Sequence, residues 1–162
     1  MLAAPKAHDS NAGLYGDLLL QARGLFEGER DSLANSANLS ALIFNTLPDL
    51  NWAGFYWMKS GELVLGAFQG KPACVRIALG KGVCGNAARD RRTIVVPDVD
   101  AFPGHIACDS ASRSEVVVPL IHQGHVIGVL DVDSPRLARF DEDDARGLEA
   151  LAKALLESSD LG

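Results

Sequence analysis

Residues 114–134, SEVVVPLIHQGHVIGVLDVDS, hold two apolar, β-branched runs interrupted once by Gln123-Gly124. Branched side chains suit the pleated surface of a sheet, and a glycine-containing pair between two such runs is a hairpin signal. Strands are therefore expected over Glu115–Ile121 and His125–Val132, paired near the centre of a sheet. Three carboxylates interrupt this apolar pattern. Asp131 and Asp133 share a strand face by the two-residue alternation, and Glu115 begins the partner strand, so all three can converge on one pocket.

Upstream, Trp52–Met58 and Glu62–Phe68 flank Lys59-Ser60-Gly61 and predict a second hairpin, with Trp52 and Tyr56 on one strand face. Val75–Ile77 and Thr93–Val96 read as short strands, and Gly80–Gly85 as a glycine-rich entry to a helix ending near Asp90. Helical spacing of Leu14, Leu18, Leu19, Ala22, Leu25 and Phe26 predicts a helix over about 12–27. A second helix should follow an Asp31 N-cap, present Leu33, Ala37, Ser40, Ala41 and Phe44 inward, and stop at Pro48. The acidic run Asp141–Asp144 reads as a helix start that complements the macrodipole, with Leu148, Leu151, Ala152 and Leu155 inward, and not as a metal site. The segment 97–113 is irregular and long, as functional loops often are.

These elements make an α+β sandwich: a central antiparallel sheet with helices packed on one face, and a pocket with loops on the other. Length fits one domain over 12–162, preceded by a flexible N-terminal segment, 1–11. A formal charge of -6, with only Arg89, Arg91 and Arg92 approaching a basic cluster, disfavours nucleic-acid binding. No apolar run approaches bilayer length, so no membrane association is expected. Three cysteines is an odd number, which favours a reducing compartment and a cytoplasmic location.

Those cysteines, Cys74, Cys84 and Cys108, are either incidental core residues or a nucleophile with resolving partners. Cys84 stays between the two readings: it sits just after a glycine at a helix start, where the dipole would lower its pKa, yet an unpaired cysteine is commonly a small buried hydrophobe. Cys108 lies in a polar loop. His105 reads as a hydrogen-bonding turn residue and is left out of the catalytic set. Asp-Val-Asp at 131–133 also reads as a metal motif, but histidines at ligand spacing and a calcium-loop glycine are missing, so no metal and no organic cofactor are expected.

The stretches NWAGFY (51–56), GVCG (82–85), GHIACD (104–109), Ser114-Glu115 and GVLDVDS (128–134) resemble the free methionine-(R)-sulfoxide reductases, a GAF-domain family. The likeness spans Leu14 to Leu155. It implies a GAF fold and an enzyme that reduces free L-methionine (R)-sulfoxide through sulfenic acid and disulfide intermediates. It also implies Cys108 as nucleophile, Cys74 as main resolving cysteine and Cys84 as alternate partner or relay; the order of the last two stays open. Glu115, Asp131 and Asp133 become the set that binds substrate and polarises its oxygen, with Asp133 as proton donor and Asp131 with Glu115 as seat of the ammonium. Repulsion among the three should raise at least one pKa until that acid holds a proton near neutral pH. Asp109 beside Cys108 disfavours the thiolate, leaving activation to the substrate ammonium, Arg113 or a proton transfer in the complex. Trp52 is expected to wall the pocket, with Tyr56 uncertain. Thioredoxin is the expected reductant and a homodimer the expected assembly.

Two rival readings are a non-enzymatic GAF module sensing a small ligand, and a thiol redox sensor. The first lacks an output segment to regulate; the second leaves the acidic pocket unexplained.

Overall fold

The computed structural model describes residues 11–106 and 110–162. Most of the segment expected to be flexible, 1–11, and the expected nucleophile Cys108 lie outside the described residues. The described chain runs α1 (Asn11–Phe26), α2 (Ser32–Thr46), β1 (Trp52–Lys59), β2 (Glu62–Gly70), β3 (Arg76–Ala78), α3 (Gly82–Asp90), β4 (Ile94–Val96), β5 (Ser114–His122), β6 (His125–Ser134) and α4 (Glu142–Ser158). Within the irregular segment, Val99–Ala101 forms a short 3-10 turn.

The strands build one antiparallel sheet in the order β3-β2-β1-β6-β5-β4. Both long hairpins turn through two residues at positive φ, Ser60 (53°) with Gly61 (85°) and Gln123 (50°) with Gly124 (79°). That geometry matches the right-handed twist of the flanking strands and sets their register. The consequence lies at the other end of the hairpin, where Glu115 faces Asp133 and Val117 faces Asp131.

Alternation then divides the core in two. Ala53, Phe55, Val116, Val118, Leu120, Leu130 and Val132 point to one face and meet α1, α2 and α4. Trp52, Tyr56, Val117 and Val129 point to the other, where α3 contributes Val83, Cys84, Ala87 and Ala88. Three helices therefore cover one face, while α3 closes part of the pocket face.

The caps follow the sequence. Asp31 Oδ1 accepts from Ala34 N at 2.8 Å, and Asp141 and Asp144 form a reciprocal capping box at the start of α4. Two helical faces differ from expectation. In α2, Leu33 is 66% exposed, and the inward residues are Leu39, Leu42 and Ile43 with Asn35, Ser36 and Ser40. The polar members are tolerated because they are bonded: Asn35 Nδ2 donates to Ser159 Oγ at 3.0 Å, and Ser40 Oγ to Ser36 O at 2.8 Å. In α1, Leu25 is exposed and Tyr15 is buried.

Tyr15 donates to Asp144 at 2.7 Å and packs over Gly147 of α4. A Cβ at Gly147 would come far inside van der Waals contact with the Tyr15 ring. Overpacking of this kind costs up to about 3 kcal/mol, so Gly147→Ala is expected to lower Tm by roughly 10 °C in thermal unfolding. An unchanged Tm would show that the ring moves aside despite its bond to Asp144.

Candidate active site

The pocket on the α3 side is built from the ends of the central strands. Register places Asp133 between Trp52 of β1 and Glu115 of β5, and Asp131 between Gly54 and Val117. Alternation carries the Glu115, Asp131 and Asp133 side chains to the same face, where all three line one cavity with Trp52, Tyr56 and Cys84. Glu115, Asp131 and Asp133 are 7%, 6% and 8% exposed. The convergence expected from the hairpin alone is therefore present.

Carboxylates held this close, away from water, resist ionising together. Asp131 is pushed well above the ordinary carboxylate range, first by burial and then by the charges of Asp133 and Glu115. Its Oδ1 has no hydrogen-bond partner among the described residues. A buried acceptor without a donor costs free energy that a bound cation or donor would recover.

Cys84 is the third residue of α3, buried, and a free thiol. Its Sγ lies 4.0 Å from Glu115 Oε2. The dipole at a helix start was expected to lower its pKa, and the opposite holds. Burial raises it well above the usual thiol value, reinforced by Asp131, Glu115 and Asp133. A helix terminus contributes the field of about half a charge, which desolvation and three nearby carboxyl groups outweigh. Cys84 thus combines the readings that the sequence left open: it is a core thiol, and it faces the pocket.

Cys74 lies between β2 and β3, is half-buried, and is disulfide-bonded. Two aromatic side chains tie its segment to the sheet: Tyr56 donates through Oη to the Cys74 carbonyl at 2.9 Å, and Trp52 Nε1 donates to Lys71 O at 3.2 Å. Trp52 also stacks on Phe68 with ring centroids 5.2 Å apart, which fixes its face toward the cavity. Tyr56, uncertain from sequence, is both a pocket wall and a brace for Cys74.

Three further residues with polar side chains line the cavity without having been placed in the site by sequence. His105 lies with Nε2 3.9 Å from Glu115 Oε1. Ser112 accepts from Asn51 Nδ2 at 3.0 Å. Lys81, at the N-cap of α3, brings a cation to the rim. The glycine-rich entry to α3 was the available signal for Lys81; for Ser112 there was none. Arg113, weighed as a source of thiolate activation, is exposed and is not among the residues lining the cavity. Cys84, Glu115 and Asp131 each offer one ligand atom within 4.8 Å of the others, a set able to hold a metal ion that no local spacing announced.

The GAF domain family matches residues 34–155. A free methionine-R-sulfoxide reductase of Escherichia coli is 50% identical over 141 residues, covering 87% of this chain and 86% of that protein. The solved free methionine-R-sulfoxide reductase of Neisseria meningitidis, in complex with its substrate, superposes with a TM-score of 0.91 at 48% identity, covering 98% of this chain and 95% of that one. A Burkholderia vietnamiensis structure described as a GAF sensor protein has 62% identity and a TM-score of 0.90, covering 93% of this chain and 96% of the other.

Proposed function

Because this chain belongs to the GAF-domain family, among the free methionine-R-sulfoxide reductases, we propose that it reduces free L-methionine (R)-sulfoxide to methionine by thiol chemistry. The observation that carries this reading is the convergence of three buried carboxyl groups beside Trp52, on the pocket face braced against the Cys74 segment. Such a pocket suits a small molecule with an ammonium at one end.

The substrate ammonium sits between Glu115 and Asp131, where it meets the unpartnered Oδ1 and allows Asp131 to ionise. Asp133, next along the same face, donates the proton that the sulfoxide oxygen needs. Trp52 holds the S-methyl group and distinguishes the R epimer. Cys108 attacks: its thiol takes the oxygen, leaving methionine and a cysteine sulfenic acid. The Cys74 thiol then displaces water from that sulfenic acid to form a disulfide, and a dithiol reductant, thioredoxin, restores both thiols. The disulfide state of Cys74 and the free, buried state of Cys84 support Cys74 as the resolver.

A peptide-bound sulfoxide has no ammonium to offer, and its entry would leave the acids without their counter-charge. No helix among the described residues is long and apolar enough to cross a membrane. We place the enzyme in the cytoplasm, where thioredoxin is reduced, and expect it to act as a homodimer.

The test is turnover of purified protein with dithiothreitol on each epimer of free and N-acetylated methionine sulfoxide, following methionine. Only the free R epimer is expected to be consumed. No turnover of that epimer would sink the reading and favour a sensor.

A further inference from the structure

The Cys84, Glu115 and Asp131 donors come from α3, β5 and β6, and they lie within 4.8 Å of one another on the pocket face. Proximity alone does not make a metal site. The second observation is Asp131 Oδ1, on a residue only 6% exposed, which lines the cavity and has no hydrogen-bond partner among the described residues. We propose that Cys84, Glu115 and Asp131 bind a thiophilic divalent cation, zinc foremost, in a site that overlaps the seat of the substrate ammonium. The overlap rests on the function proposed above; the site itself does not.

The chemistry of the donors selects the metal. A thiolate with two carboxylates suits zinc, whereas magnesium and calcium take oxygen donors alone. Tetrahedral zinc, with bonds of about 2.3 Å to sulfur and 2.0–2.2 Å to oxygen, holds such donors roughly 3.5 Å apart. Cys84 Sγ and Glu115 Oε2 stand 4.0 Å apart and all three donors lie within 4.8 Å of one another, so the first pair needs to close by about half an ångström and no pair by more than about 1.3 Å. His105, with Nε2 3.9 Å from Glu115 Oε1, and Asp133, beside Asp131 on the same face, are further donors for the fourth position, with water as the alternative. Zinc there excludes the ammonium and stops turnover, although Cys84 takes no part in the proposed attack. Thiophilic ions thereby inhibit this enzyme by occupying its acidic seat.

The experiment uses the full chain carrying Cys74→Ser and Cys108→Ser, so that Cys84 is the one remaining thiol. Titration with Co²⁺ is expected to give one ion per chain, with a thiolate-to-cobalt charge-transfer band that zinc abolishes. Adding Cys84→Ala should remove the band, and adding Asp131→Asn should weaken binding at least about tenfold, with circular dichroism confirming that each variant is folded. Absence of the band, or its survival in folded Cys84→Ala protein, overturns the site. Should Cys84→Ala not fold, X-ray absorption of the zinc complex decides: one sulfur in the coordination shell supports the proposal, and a sulfur-free shell overturns it. Free methionine is expected to compete with zinc. Zinc binding that free methionine leaves unchanged overturns the ammonium placement, while the metal site stands.

Discussion

Serine in place of Cys108 is expected to leave the chain folded and to lower reduction of free methionine (R)-sulfoxide at least about 1,000-fold, because the hydroxyl is a far poorer nucleophile toward sulfur than a thiolate. The informative partner is Cys74→Ser. Its first turnover should release one methionine per chain, since in the proposed mechanism formation of the sulfenic acid needs only Cys108, and thioredoxin-linked cycling should then stop. Cys84 is badly placed to rescue it. Burial and the adjoining carboxyl groups hold the Cys84 thiol protonated, and exchange proceeds through the thiolate. Rapid-quench measurement of methionine per chain, followed by steady-state turnover with thioredoxin, separates the two steps. Normal thioredoxin-linked cycling of Cys74→Ser would mean that Cys84, or direct reduction of the sulfenic acid by thioredoxin, replaces Cys74.

The second large effect divides stability from function at Asp131. Its pKa moves from 3.8 in the unfolded chain to well above that in the folded one, with burial as the main cause. Between those two values the folded chain keeps a proton that the unfolded chain has released, so stability falls as pH rises through that interval. Asparagine has no such proton. Asp131→Asn is therefore expected to melt at a higher temperature than the parent near neutral pH, with the difference vanishing below about pH 4. The same change removes a carboxylate from the proposed ammonium seat. Loss of a buried charged partner costs about 3 kcal/mol, or roughly a hundredfold in kcat/KM. Thermal unfolding across pH, beside kinetics on the free R epimer, tests both halves. Asp133→Asn supplies the contrast, because loss of a proton donor should fall on kcat. Full kcat in Asp133→Asn would remove it from that role.

Much of the site was legible because it is local. Glu115, Asp131 and Asp133 belong to one hairpin, whose two-residue turn at Gln123-Gly124 sets the register and whose alternation sets the face. The placement of Trp52 and Tyr56 on that face followed from the same rule applied to β1, which pairs with β6 from Trp52 opposite Asp133. The helix starts at Asp31 and Asp141 were legible too, since a cap is a contact between residues three apart. The inward face of α2 was not. Apolar periodicity pointed to Leu33, while the structure buries Asn35, whose amide reaches Ser158 and Ser159 at the far end of the chain. No local pattern encodes that partnership.

The sequence by itself determined the α+β class, the element order, the two hairpins and the shared face of three acids. These depend on turn conformation and side-chain period, which act over a few residues. The tertiary structure alone decided the condition of Cys84, the bracing of Cys74 by Tyr56, and the meeting of Cys84, Glu115 and Asp131, with His105 beside Glu115. Burial and electrostatic field are sums over everything nearby in space. Packing α3 against β5 and β6 sets those sums, and so turned a cysteine at a helix start from a candidate thiolate into a protonated thiol.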